Sequence, residues 1–219
     1  MAKKEILTTS QKQVIRLIAC EPRLANFYLS GGTALSAFYF QHRLSDDLDF
    51  FSTEPVDVQF ILAFVETLKE NLNSPKVRFE RLYDRNIFFL ELANGKELKI
   101  EFTRYPFKRL GRMAKHSGIS VDSLRDLAAN KLMAMIDRFD PKDFVDLYFL
   151  LKRFSLNEIR GDAEKKFNVK IGSMLLGSEL AKVRRIAALP IMLKPATIDE
   201  LKIFFAKKAR EIGRSMIKE

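Results

Sequence analysis

Asp47 and Asp49 alternate within Arg43-Leu-Ser-Asp-Asp-Leu-Asp-Phe-Phe51. On an extended strand, residues two apart leave the backbone by the same face, so this spacing gathers two carboxylates. Upstream, the apolar run Phe27-Tyr-Leu29 meets Ser30-Gly31-Gly32-Thr33. A glycine turn there lets an anion approach backbone amides and small hydroxyls at a helix start. Two carboxylates beside such a turn form a site for a metal and a nucleotide. That arrangement points to chemistry on a nucleoside triphosphate, and nucleotidyl transfer, in which a hydroxyl attacks an α-phosphate and pyrophosphate leaves, is a reaction it could do. Charge then builds on oxygens, so the catalysts required are Mg²⁺ and cationic side chains.

Further residues fit that chemistry. Glu101 offers a third carboxylate if its strand lies beside that of Asp47 and Asp49, where it would join the metal ligands or orient and deprotonate the attacking hydroxyl. Arg43 and Ser45 precede the acidic pair and are placed to hold a triphosphate. Lys131 is set among Leu124, Leu127, Ala128, Leu132 and Met135. A lysine on the apolar side of a helix needs an anionic partner, and a phosphate or a carboxylate would serve.

The elements that must position these residues follow from patterning. Ser10 is expected to cap a helix carrying Val14, Ile15, Leu17 and Ile18, with Cys20 as a small core residue. Strands are expected at Phe27 to Leu29 and Leu48 to Phe51, with a helix from Thr33 to Gln41 between them and His42 at its end. Asp57 precedes an amphipathic helix through Leu72. Three strands follow, at Lys76 to Arg81, Ile87 to Leu92 and Glu97 to Phe102. Asn94-Gly95 predicts a type I′ hairpin between the last two. After Ser120 the pattern is helical. Helices are expected over Asp122 to Arg138, from Asp140-Pro141 to about Phe154, and after the capping boxes at Ser155/Glu158 and Thr197/Glu200. An α/β half thus precedes a helical half, with the boundary near the polar run Arg112 to Gly118.

Composition narrows the setting. The chain has 219 residues, 47% of them hydrophobic, which suffices for one sizeable domain or two small ones. The net charge of +10 favours a polyanion such as RNA and the capture of a triphosphate. No apolar run approaches the ~20 residues that span a bilayer, so no membrane partner is expected. One cysteine forbids an internal disulfide and points to a reducing cytoplasm. Two separated histidines, His42 and His116, argue against zinc.

The chain resembles the AbiEii/AbiGii toxin family of nucleotidyltransferases, part of the DNA polymerase β superfamily. The resemblance rests on Ser30-Gly-Gly-Thr-Ala-Leu35 and Arg43-Leu-Ser-Asp-Asp-Leu-Asp-Phe-Phe51. It continues in Leu98-Lys-Ile-Glu-Phe102, Asp126-Leu-Ala-Ala-Asn-Lys131, Arg138 and Lys142-Asp-Phe-Val-Asp-Leu147. It implies an α+β fold, with a nucleotidyltransferase-like mixed sheet and flanking helices over residues 1–118. A helical bundle over 119–219 would complete the cleft. It implies Asp47 and Asp49 as metal ligands, Lys131 as a nucleotide contact, and one of Asp143 or Asp146 near the catalytic centre; of these two, helix position favours Asp146, since Asp143 lies where an acid suits the helix dipole anyway. It also implies a toxin, with an RNA (tRNA) acceptor, a role in toxin–antitoxin or phage-defence systems, and a possible antitoxin encoded nearby. The rival readings are transfer to a small molecule or a protein hydroxyl, and a non-catalytic nucleotide- or RNA-binding protein.

Overall fold

A computed structural model describes residues 6–216. The chain divides into two compact units. The first takes the chain up to Tyr39, then Ser45–Phe107 and Arg112–Ser123; the second takes Phe40–Leu44, Lys108–Gly111 and 124 onward. The chain therefore passes between the units several times.

The first unit is built on a seven-stranded mixed sheet in the order β3-β4-β5-β2-β1-β7-β6. Its strands are β1 (Tyr28–Ser30), β2 (Leu48–Ser52), β3 (Val77–Leu82), β4 (Arg85–Glu91), β5 (Glu97–Arg104), β6 (Ala114–His116) and β7 (Ile119–Val121). β1 runs antiparallel to β2 and parallel to β7, while β2 runs parallel to β5. Leu29, Leu48, Phe50, Phe88, Ile100 and Phe102 are fully buried. The Phe50 and Phe102 rings stack 5.5 Å apart. Each such side chain contributes about 1.5–3 kcal/mol by leaving water, so the pleat commits every intervening residue of β2 and β5 to the opposite face.

Helix α1 (Thr9–Cys20) and α3 (Val58–Asn71) belong to this unit. Val14, Ile15 and Ile18 of α1 are buried, as are Ile61, Phe64, Val65 and Leu68 of α3. Asp57 caps α3 as expected, its carboxylate accepting from Phe60 N. The cap of α1 is Thr8, in a reciprocal box with Gln11, and not Ser10. Cys20, expected in the core, is exposed, because it lies at the last position of α1.

The hairpin at Asn94-Gly95 forms, but with a different turn. Only Gly95 takes a positive φ (74°), Gly95 N donates to Leu92 O, and Asn94 accepts from Lys96 N. This is the three-residue loop in which a left-handed glycine closes a type I turn. Type I′-like geometry occurs instead at Ser117 (φ 49°) and Gly118 (φ 85°) between β6 and β7. The polar run expected to mark a boundary thus carries β6 and its turn. The strand pair escaped notice because each partner is only three residues long.

The second unit carries α4 (Leu124–Asp137), α5 (Pro141–Leu150), α6 (Leu156–Phe167), α7 (Ser173–Ala181) and α8 (Ile198–Met216). Asp140 caps α5 with Pro141 at the first helical position. The capping boxes at Ser155/Glu158 and Thr197/Glu200 are both closed. Phe144 of α5 meets Phe205 of α8 edge-to-face at 5.4 Å. No described helix is long and apolar enough to cross a membrane.

Candidate active site

Strand register assembles the acidic face. Ser30 on β1 pairs with Asp49 on β2, and Asp49 pairs with Glu101 on β5. These three residues form one row across adjacent strands, on the face opposite Leu48, Phe50, Ile100 and Phe102. Asp47 stands just before β2, two residues from Asp49 and more open to solvent, its side chain 44% exposed against 20% for Asp49.

The glycine turn lies directly against Asp49. Gly31 has φ +70°, a conformation that L side chains rarely adopt. A Cβ on Gly31 would overlap Asp49 Oδ2 and stand 3.0 Å from its Cγ. Glycine is therefore required twice over at this position, by backbone conformation and by space. Gly31 opens a short helix α2 (Gly31–Ala34), which continues as a π-helical stretch over Leu35–Phe40. Gly32 lies in the same first turn.

The surrounding polar contacts hold the two segments. Thr33 Oγ1 donates to the carbonyl of Asp47. Gln11 Nε2 reaches the carbonyls of Ser45 (2.9 Å) and Asp46 (3.0 Å). Ser45 thus contributes its backbone to fixing the loop ahead of the acidic pair. Ser30 is fully buried and its hydroxyl donates to Asp122 Oδ2 at 2.9 Å. Asp122 is tied in turn by its amide to Leu29 O (2.9 Å), and its carbonyl accepts from Tyr39 OH (2.7 Å). Ser30 supports the turn from below; its hydroxyl is engaged with Asp122.

Glu101 is only 3% exposed and is held from several sides. Arg85 donates to both its oxygens at 2.7 Å and Thr103 Oγ1 to one of them at 2.6 Å. Burial pushes the Glu101 carboxyl up, but the hydrogen bonds from Arg85 and Thr103 and the charges of Arg85 and Lys99 outweigh it, leaving it below its usual value. Glu101 is thus ionised and a weak base, which disfavours the expectation that it deprotonates the attacking hydroxyl.

Lys99 lies among all three carboxylates. Its Nζ is 3.6 Å from Asp47 Oδ2, 4.0 Å from Asp49 Oδ1 and 3.5 Å from Glu101 Oε2. No three acidic, histidine or cysteine side chains among the described residues are close enough to share an ion as they stand. The donor set nonetheless suits a hard divalent cation, which takes oxygen ligands. The convergence of three carboxylates on one positive charge, beside a backbone cleared of any Cβ, is the feature that fits it.

Arg43, Lys131 and Asp146 meet in the second unit. Arg43, 1% exposed, gives Nε and Nη2 to Asp146 at 2.6 and 2.8 Å and Nη1 to Leu44 O at 2.9 Å. Its guanidinium faces a buried carboxylate and not solvent, which corrects its expected place beside a triphosphate. Lys131 has its predicted anionic partners, Asp143 at 2.9 Å and Asp146 at 2.6 Å, with its side chain 9% exposed. Arg138 adds a contact to Asp143 at 3.0 Å. Asp146 is fully buried and also takes His42 Nε2 at 2.7 Å. Burial pushes its carboxyl up, but the charges of Lys131 and Arg43 and the hydrogen bonds of Arg43 and His42 bring it well below its usual range.

His42, expected at a helix end without a role, is instead a buried member of this cluster. Burial lowers its pKa against the opposing pull of Asp146. The imidazole is therefore neutral, with its proton on Nε2 facing Asp146. Its Nδ1 is buried without a hydrogen-bond partner.

Sequence reasoning missed Lys99, Arg85 and Asp122. Lys99 was detectable, since it shares a face with Glu101 by alternation. Arg85 and Asp122 depend on strand neighbours that spacing alone does not give.

Comparison with known proteins bears on this geometry. The family described as "Nucleotidyl transferase AbiEii toxin, Type IV TA system" matches residues 15–217. An uncharacterized protein of Aquifex aeolicus is 31% identical over 167 residues, covering 74% of this chain and 76% of that protein. Among solved structures, JHP933 from Helicobacter pylori superposes with a TM-score of 0.60 at 18% identity, covering 100% of this chain and 96% of that one. MenT4, a nucleotidyltransferase toxin of Mycobacterium tuberculosis, gives a TM-score of 0.55 at 13% identity, covering 93% and 85%. These structures share the mixed α/β fold. With the family match over nearly the whole chain, the protein belongs to the AbiEii nucleotidyltransferase toxin family.

Proposed function

We propose that this nucleotidyltransferase is Mg²⁺-dependent and transfers a nucleotide from a nucleoside triphosphate to a hydroxyl of RNA, with tRNA the favoured acceptor. It would act as the toxin of a toxin–antitoxin or phage-defence pair in a reducing cytoplasm, restrained by an antitoxin. The observation that carries this reading is the row Ser30–Asp49–Glu101 on adjacent strands, with Gly31 against Asp49.

In this reading Asp47 and Asp49 hold the cation, and Glu101 adds negative charge from a fixed position. A bound divalent cation would neutralise the triphosphate and the charge that develops on the leaving pyrophosphate. Gly31 and Gly32 present a backbone stripped of bulk to the phosphates, and Thr33 fixes the turn through the Asp47 carbonyl and adds its amide to the helix start. The new bond joins the acceptor oxygen to the α-phosphorus as the α–β phosphoanhydride breaks. The hydroxyl proton passes to water, to which the Asp47 side of the row lies the more open. Lys131 and Asp146 act by fixing the helical unit; Lys131 alone of that pair reaches solvent with part of its side chain.

An RNA acceptor is favoured by the excess of 38 Lys and Arg over 28 Asp and Glu. The test is to supply Mg²⁺, each α-labelled triphosphate in turn, and RNA pools with and without tRNA. Label should enter tRNA, and RNA binding should weaken steeply as salt rises. Label that enters only protein or a small acceptor, with binding indifferent to salt, would exclude the RNA reading.

A further inference from the structure

Lys99 Nζ lies within 4.0 Å of a carboxylate oxygen of each of Asp47, Asp49 and Glu101. We propose that Lys99 is the resident counter-ion of this site. Its ammonium offsets part of the charge of the three carboxylates while no divalent cation is bound, and has to leave their midst before one can be held. This rests on the reading of Asp47 and Asp49 as cation ligands.

The distances make the argument. The three Nζ–oxygen separations are 3.5, 3.6 and 4.0 Å. All exceed the roughly 2.7–3.2 Å of a hydrogen bond, so charge holds the ammonium there and no directed bond fixes it. A Mg²⁺ ion needs oxygens at about 2.0–2.1 Å. Carboxylates spread around an ammonium at nearly twice that distance cannot also grip such an ion. One seat therefore has two mutually exclusive occupants.

Three further features favour exchange over permanent pairing. Lys99 is two residues from Glu101 on β5, so its stem leaves the sheet on the acidic face. Its side chain is 23% exposed, which gives the ammonium a path to water. A lysine head on a flexible four-carbon stem is strongly hydrated and readily moved. By contrast, Glu101 keeps its own cation, since Arg85 stays on both its oxygens. Moving Lys99 thus withdraws its charge from Asp47 and Asp49 without stripping Glu101. The device guards a pair of like charges from mutual repulsion in the resting protein and keeps weakly charged ions out.

The experiment is a Mn²⁺ titration of the full chain followed by electron paramagnetic resonance of the free ion, with thermal melting in parallel. Lys99→Met keeps the stem and removes the charge; Lys99→Arg keeps the charge. Lys99→Met should bind Mn²⁺ about tenfold more tightly, the equivalent of roughly 1.4 kcal/mol, and Lys99→Arg should stay near wild type. Mg²⁺ should raise the melting temperature more for Lys99→Met than for wild type. Both gains should vanish in Lys99→Met/Asp49→Asn. If Lys99→Met binds no more tightly while Asp49→Asn still weakens binding, the counter-ion proposal is overturned and the cation reading stands. If Asp49→Asn leaves Mn²⁺ binding unchanged, the cation reading itself fails, and this proposal with it. Should Lys99→Met fail to fold without metal, recovery of its fold on adding Mg²⁺ supports the proposal and no recovery contradicts it, with Lys99→Gln as the second variant.

Discussion

Gly31 and Asp49 occupy space that only glycine can share. The Asp49 carboxylate fills the position where a Cβ on residue 31 would sit, and Gly31 also holds a φ of +70°. The turn and the acid are thus packed as one unit, and any side chain at residue 31 must displace Asp49. Gly31→Ala should cost about 1–2 kcal/mol for the backbone conformation alone and push Asp49 out of the row. The expected result is a melting temperature lowered by several degrees and nucleotidyl transfer reduced by ~100-fold, the scale on which a misplacement of about 1 Å acts. A Gly31→Ala protein with wild-type transfer would show that the close approach is incidental.

The buried acid of the second unit should behave differently from the acids of the sheet. Asp146 holds Arg43, His42 and Lys131 with no exposure to solvent. Asp146→Asn would leave buried cations without their countercharge, a loss of about 3–5 kcal/mol. Its melting temperature should fall by about 10 °C, given ~2–4 °C per kcal/mol for a chain of this size. Asp47→Asn should melt at or above the wild-type temperature, because it relieves repulsion from Asp49. Calorimetry on the two variants separates an acid that holds buried cations from one that lies open to solvent.

Stability should decline on mild acidification. His42 is neutral when folded, its pKa held below 6.5 by burial and by the charges of Arg43 and Lys131, against the pull of Asp146. Unfolding restores the ordinary value, so below about pH 6.5 the unfolded chain binds the extra proton and stability falls as pH drops toward the folded value. Asp146 has the same sign at lower pH, with its contribution present above its ordinary 3.8 and lost below it. Urea midpoints at pH 7.5 and 5.5 should differ in wild type and converge in His42→Gln. Equal midpoints in wild type would contradict a buried neutral imidazole.

Much of this was readable from the chain because local rules sufficed. Asp49 and Asp47 declared themselves by spacing, and the Gly31-Gly32 turn by following an apolar run. Leu98, Ile100 and Phe102 announced the buried face of β5, which put Glu101 on the other. Lys131 signalled a buried partner by sitting among apolar neighbours. What stayed hidden depends on contacts remote in sequence. Arg43 looked like a phosphate ligand because it precedes the acids, yet Asp146, 103 residues away, claims it. His42 gave no sign of burial for the same reason. β6 and β7 fall below the length at which alternation is legible. Cys20 fits an apolar pattern, but the helix ends there and leaves it exposed.

If Asp47 and Asp49 serve nucleotidyl transfer, the deciding measurement follows α-labelled triphosphate into RNA with Mg²⁺, comparing wild type with Asp49→Asn and with Asp46→Asn, an exposed neighbour outside the row. Transfer should persist with Asp46→Asn and vanish with Asp49→Asn while circular dichroism and melting remain those of the wild type. Undiminished transfer by a folded Asp49→Asn protein would contradict the assignment of the site.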